Sequence, residues 1–230
     1  MSWPKGGAKA QPFTAAPDAS GPAIKPNIFP LWKRAFDICV ATLLLLFLTP
    51  LFAAVALLVA LDGGPIGFGH ARIGTNGRLF RVLKFRTMCV DADARLQEFL
   101  AENFDARVEW DHTQKLRHDP RITRIGRFLR KSSIDELPQL LNVLRGEMSI
   151  VGPRPIVQAE AVRYGRYIKY YEQARPGITG LWQVNGRNDV SYRRRVALDT
   201  LYCRKSSNIR TDFKILLLTI PAIFFSTGSY

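Results

Sequence analysis

Across residues 38–61 only Thr42, Thr49 and Pro50 interrupt an otherwise apolar run, and no helical face within it is polar. At a rise of about 1.5 Å per residue, a helix of this length reaches across a hydrocarbon layer of about 30 Å. A helix that is apolar all round can also lie in the core of a soluble protein, but the length argues for the membrane. Pro50 cannot donate to the Leu46 carbonyl and its ring crowds that turn, so a bend is expected there. Lys33 and Arg34 precede the run, and His70, Arg72, Arg78 and Arg81 follow it. The positive-inside rule therefore assigns both flanks to the cytoplasm. A re-entrant helix, kinked at Pro50 and leaving by the face it entered, meets both conditions and is favoured over a simple crossing. Asp37 follows Lys33 by one turn and can pair with it or with Arg34.

The pattern changes after Asp62-Gly-Gly-Pro65, which ends the helix with turn residues. Residues 66–88 alternate glycines with Phe68, Ile73, Phe80, Val82, Leu83 and Phe85, which predicts short strands joined by glycine turns. Leu96, Phe99, Leu100 and Phe104 fall at helical spacing and predict a helix over 91–104. Arg121, Arg124, Arg127 and Arg130 recur every three residues opposite Ile122, Ile125, Phe128 and Leu129. That is a basic amphipathic segment suited to a phospholipid surface, with a merely solvated face as the alternative.

Leu137, Leu140, Leu141 and Leu144 predict a helix over 135–145, stopped by Arg145-Gly146. Ser133 and Glu136 have capping-box spacing, but a start at Ser133 would place Pro138 where an amide must bond back to Ile134. A start at Asp135 puts the proline in the first turn, and Asp135 at the positive end of the helix dipole. Further helices are expected over 158–172 and 190–204, with a structured loop and one short strand over 175–187. Residues 213–225 are apolar but broken by Pro221, and read as an interfacial or core-packed helix. The pattern as a whole is α+β and mainly helical: a tail over 1–30, a membrane helix over 31–61, and a small catalytic domain over 62–230 with interfacial amphipathic helices.

Charge narrows the partners. The 230 residues hold 33 Lys and Arg against 19 Asp and Glu, a net +14, which calls for a polyanion: nucleic acid, an anionic membrane face or a phosphorylated substrate. Cys39, Cys89 and Cys203 are odd in number and lack CxxC spacing, which argues against both a disulfide framework and a thiolate zinc site and suits a reducing compartment. His70, His112 and His118 match no ligand pattern, so any metal is expected to be a hard, oxygen-bound ion such as Mg2+. The Pro-, Gly- and Ala-rich tail is expected to be mobile, and the apolar run begins too late and is too long for a secretory signal.

Within this basic background Asp135 and Glu136 stand side by side, among Arg121, Arg124, Arg127, Arg130 and Lys131. The cations would draw in an anionic substrate, on which a carboxylate could act as nucleophile, base or metal ligand. A membrane-anchored nucleic-acid-binding protein would explain the charge but neither the acidic pair nor the apolar run. A catalytically silent scaffold would leave the pair without a task.

Five motifs in order carry a resemblance. They are Lys84-Phe-Arg-Thr-Met88, the block from Asp119 to Arg130, Ile134-Asp-Glu-Leu-Pro-Gln139, Met148-Ser-Ile-Val-Gly-Pro-Arg-Pro155 and Pro176-Gly-Ile-Thr-Gly-Leu-Trp-Gln-Val184. Together they resemble the bacterial sugar transferases, the monotopic polyprenyl-phosphate phosphoglycosyl transferases, over residues 33–230. The short form of the chain is most similar to exopolysaccharide-initiating members of the ExoY type. His70 stands where many members carry Gln, while Phe68, Arg72 and Gly74 of the same motif are retained.

The resemblance implies transfer of a sugar 1-phosphate from a UDP-sugar to undecaprenyl phosphate, with release of UMP and dependence on Mg2+. Galactose is the first expectation for the sugar and glucose the second. It implies that Asp135 is the nucleophile of an aspartyl-phosphosugar intermediate, and that Glu136, with Asp135, helps hold the metal. Arg154, fixed between two prolines, is the expected phosphate clamp. Lys84, Arg86, Trp182, Gln183 and Asp199 are further candidate substrate contacts. The expected setting is the cytoplasmic face of a bacterial inner membrane, beside anionic phospholipid and other polysaccharide-assembly enzymes, with a homodimer compatible and no role for nucleic acid.

Overall fold

The computed structural model describes residues 30–186, 190–204 and 208–224. Of the tail expected over 1–30, residues 1–29 lie outside the described residues, as do Arg187 and, at the end of the apolar segment expected over 213–225, Phe225. In chain order the elements are α1 (Leu31–Ala60), β1 (Gly67–Ile73), β2 (Leu79–Phe85), α2 (Ala92–Glu102), α3 (Phe104–Thr113), α4 (Arg124–Lys131), α5 (Gln139–Arg145), β3 (Ser149–Val151), α6 (Gln158–Tyr164), α7 (Ile168–Tyr171), β4 (Gly177–Thr179), α8 (Leu181–Val184), α9 (Tyr192–Arg204) and α10 (Ile209–Phe224). The chain is mainly helical with little sheet. β1 and β2 form an antiparallel hairpin, and β3 and β4 a short parallel pair.

α1 is long and apolar enough to cross a membrane. One stripe of it packs on the rest of the chain: Lys33, Asp37 and Ala41 in its first turns, Val55 and Val59 in its last. The other faces leave Leu43, Leu46, Phe47 and Leu57 exposed, between 61% and 81% of each side chain. In the first turns the expected pairing gives way to a different one. Lys33 turns away from Asp37 to Asp212 of α10, at 2.5 Å, and Asp37 accepts from Ser149 Oγ and the Ile150 amide, each at 3.0 Å. Arg34 donates to the carbonyls of Val143 and Leu144, the C-terminal end of α5. Lys33 is thus a core residue, and it does not act as a free charge on the membrane flank.

The hairpin forms as its glycine spacing predicts. Asn76 and Gly77 take positive φ (57° and 72°) in the turn between the strands. Asn142 of α5, fully buried, serves as an extra strand partner for β2: its Oδ1 accepts from the Leu83 amide and its Nδ2 donates to the Arg81 carbonyl. The helix expected over 158–172 is broken at Gly165 (φ 48°) into α6, a 3-10 turn and α7. Tyr171 of α7 then ties β1 to the loop after β3, donating to the Ile73 carbonyl and accepting from the Ile156 amide.

Candidate active site

α4 begins at Thr123, whose hydroxyl accepts from the Gly126 amide. A Cβ on Gly126 would lie 2.0 Å from the Thr87 carbonyl oxygen, so only glycine lets α4 press against the segment after β2. This contact carries Arg130 inward, where its Nε donates to Thr87 Oγ1 at 2.8 Å. Ser133, in the left-handed region at φ 57°, then reverses the chain into the 3-10 turn Ile134–Glu136 that holds both carboxylates. The helix expected from Asp135 starts later, at Gln139 with Pro138 as its N-cap, so Asp135 stands in a separate turn before α5 and away from its first amides. Ser133 makes no capping bond; Glu136 is held by Lys84 instead.

Lys84 Nζ lies 2.6 Å from Glu136 Oε1 and 3.6 Å from Asp135 Oδ2. Because Asn142 of α5 grips β2, the lysine and the carboxylates keep a common frame. Asp135 is only 7% exposed. Burial pushes its carboxyl above the usual carboxylate range, with Glu136 acting the same way and Lys84 and Arg130 opposing. Burial acts on Glu136 too, but Lys84 and Arg154 outweigh it and hold that carboxyl below its ordinary value. Two adjacent acids pushed in opposite directions is the arrangement that divides roles in a catalytic pair. Replacing Lys84 by Met should move the acid limb of the activity profile to higher pH. The sign follows from Lys84 being the main group lowering the Asp135 carboxyl, so its loss lets protonation of that carboxyl persist further up the scale. An unchanged limb in a pH series of kcat/KM would count against Asp135 as the ionised reactant.

Arg154 is exposed in the loop after β3, with its guanidinium 5.7 Å from the Trp182 ring, and its charge is felt at Glu136, Asp199 and Arg72. It is well placed for the clamp role. Arg86 is not. Its Nη2 donates to the Val59 carbonyl at the end of α1 and lies 3.8 Å from Asp62, so it fastens the helix end and points away from the carboxylates. Trp182 is buried beneath Arg154 and Arg195 and supports those guanidinium groups with its ring. Gln183 donates to the Ile178 carbonyl and braces the loop between β4 and α8.

Asp199 is buried, with Oδ2 accepting from the Tyr164 hydroxyl at 2.8 Å and Oδ1 without a hydrogen bond. Burial pushes its carboxyl up to about 7 against those stabilising neighbours. Between about pH 4 and pH 7 the folded chain therefore keeps a proton there that the unfolded chain has released, so this group's contribution to stability falls as pH rises through that window. Asp199→Asn should flatten the fall and raise Tm at pH 8 by about 2–8 °C, roughly 1–2 kcal/mol. Thermal melts of both proteins between pH 5 and 8 check it, and parallel curves would refute it.

The residues that sequence reasoning overlooked are Arg130, Thr87 and Asn142. A row of arginines at every third position drifts by about 60° per step around a helix. Arg130 therefore ends on the buried side near Gly126, while Arg124 and Arg127 stay exposed. Arg121 precedes α4 and is bound to Asp119 at 2.6 Å. The row is not one membrane-facing stripe.

Among the described residues no cluster of three or more His, Cys, Asp or Glu side chains is formed. Mg2+ commonly takes one or two carboxylates plus substrate phosphates, so a buried Asp135 beside a partly exposed Glu136 is a donor set that fits it.

Residues 28–226 match the family model for bacterial sugar transferases. The exopolysaccharide production protein ExoY of Sinorhizobium fredii is 54% identical over 209 residues, covering 90% of this chain and 92% of that protein. The UDP-galactose-lipid carrier transferase of Erwinia amylovora is 50% identical over 198 residues, 86% of this chain and 41% of its own length. The undecaprenyl-phosphate galactose phosphotransferase of Salmonella typhimurium is 48% identical over 198 residues, again 86% of this chain and 41% of its own. With the family's motifs folded around one charge-balanced acidic pair, the chain belongs to the bacterial sugar transferases, as an enzyme of the ExoY type.

Proposed function

We propose that this enzyme transfers galactose 1-phosphate from UDP-galactose to undecaprenyl phosphate and releases UMP, the first membrane step in building an exopolysaccharide. The observation that carries the reading is Asp135 itself, a buried carboxylate balanced by Lys84 and Arg130 beside a second acid held ionised. In the first step an Asp135 carboxylate oxygen bonds to the sugar-bearing phosphorus, and the bond from that phosphorus to the UMP oxygen breaks. In the second, an oxygen of undecaprenyl phosphate attacks the same phosphorus and frees Asp135. Splitting the exchange keeps two polyanions from meeting in one transition state. Arg154 clamps phosphate, Lys84 and Arg130 balance the changing charge, and Glu136 orients the reactants. Asp135 and Glu136 would hold Mg2+, which neutralises charge on the diphosphate when bound.

The same reading sets α1 as a re-entrant helix beneath a catalytic domain over 62–230, on the cytoplasmic face of the inner membrane. Support comes from both ends of α1 packing on the same body. Thr49 Oγ1 bonds back to the Leu45 carbonyl, and Pro50 denies Leu46 its helical donor; both features bend helices. Exposed Arg124, Arg127 and Phe128 on α4 suit contact with anionic headgroups. The test is a membrane fraction given Mg2+, undecaprenyl phosphate and a panel of radiolabelled UDP-sugars. UMP and an organic-extractable galactose product are expected, whereas a preference for UDP-glucose would reassign the sugar and no product from any donor would end the proposal.

A further inference from the structure

An apolar groove of about 370 Å³ lies between α1 and the hairpin, and none of the steps above uses it. Leu83 and Phe85 of β2 line it together with their ladder partners Gly69 and Gly67, which add no side chains to that face. Phe52 of α1, whose ring lies 5.5 Å from that of Phe85, borders it as well. Pro138 and Leu141 supply a wall from the start of α5, and Leu141 is 38% exposed.

Two connections give the groove a meaning. It approaches the turn that holds the acidic pair, because Pro138, two positions after Glu136, and Lys84, whose ammonium contacts both carboxylates, are among its lining residues. It also reaches the apolar helix, because Phe52 lies two residues beyond Pro50, in the stretch whose other faces expose leucine and phenylalanine. Among the described residues the charged ones that line it, Arg81 and Lys84, are both cationic. A nucleotide-sugar offers such a space only a uracil ring amid hydroxyl and phosphate groups, whereas a polyprenyl phosphate has an anionic head joined directly to a hydrocarbon chain.

We infer that this groove seats the phosphate-proximal isoprene units of the lipid acceptor, leading the chain from the bilayer beside α1 to the acidic pair. The assignment rests on the proposed transfer for its choice of lipid, but binding can be read without turnover. Radiolabelled undecaprenyl phosphate is titrated onto the full chain in nanodiscs, with no sugar donor present. Leu141→Trp, which fills the groove, should weaken binding at least about tenfold, equivalent to roughly 1.4 kcal/mol. Val162→Trp, at a position 80% exposed on α6, should leave it unchanged. As a second measurement, a diazirine placed on the first isoprene units should label the wild-type chain around Phe52 and Leu141. Equal affinity of the wild type and Leu141→Trp, or label elsewhere, overturns the assignment. So does displacement of the probe by phosphatidic acid as readily as by undecaprenyl phosphate, since the groove would then be a general lipid seat. Failure of the sugar-transfer assay would remove the reaction, yet these binding results would still decide the groove.

Discussion

Asp135→Asn should lower turnover by at least about 10³-fold, the scale on which loss of a nucleophile acts, while leaving the fold intact. Asparagine matches aspartate in shape and can still accept from Lys84, but its amide oxygen is a poor nucleophile toward phosphorus. The side chain is 10% exposed and surrounded by Lys84, Glu136 and Arg130, so solvent has little room to supply a substitute. The informative readout is the first half-reaction alone. With UDP-galactose and no lipid acceptor, the wild type should release UMP in an amount matching the enzyme and hold labelled sugar phosphate on residue 135, and Asp135→Asn should do neither. Glu136→Gln keeps the nucleophile and loses the Lys84 ion pair, so it should retain the labelled adduct at a reduced rate. Adduct formation on the Asp135→Asn protein would place the covalent step elsewhere.

The legible part of this site was the part written in local sequence. Side-by-side carboxylates among arginines, a glycine that stops α5, glycines spacing a hairpin and prolines flanking Arg154 all act within a few residues. What stayed hidden depends on contacts far apart in the chain. Arg86 sits two residues from Lys84, where strand alternation alone would keep both on one face, yet it lies just past the end of β2 and is drawn to Val59 and Asp62 at the end of α1. Trp182 belongs to one of the five motifs and Asp199 is a candidate contact, but their burial against Arg154, Arg195 and Tyr164 is set by the packing of α6, α8 and α9. In the sequence Asn142 is one polar position among the leucines of a helix; only the docking of α5 along β2 makes it the piece that holds Lys84 to the acidic pair. Helix periodicity showed the leucine face of α5 and could not show what the neighbouring residue grips.

Lys33→Met should be the most destabilising single change at the base of α1, by about 3–5 kcal/mol, the range for breaking a buried ion pair from one side. At this chain length that corresponds to a Tm lower by about 6–20 °C. Lys33 and Asp212 are each 1% exposed, and the ammonium also donates to the Val151 carbonyl and the Tyr202 hydroxyl. Tyr202 in turn donates to Asp212 at 2.8 Å, so α1, β3, α9 and α10 meet at one nitrogen. The two halves of the pair are not equivalent. Removing the lysine leaves Asp212 and nearby Asp37 as two buried carboxylates with no cation between them, whereas Asp212→Ala leaves Lys33 with Asp37 still in electrostatic reach. Lys33→Met should therefore exceed Asp212→Ala, and the double variant Lys33→Met/Asp212→Leu should recover much of the loss, because it retires the ion pair and fills its volume with apolar atoms. Thermal unfolding of the four proteins in the same detergent gives the cycle directly. If the double variant were as unstable as Lys33→Met, what holds α1 to the body would be shape at this junction rather than its charge.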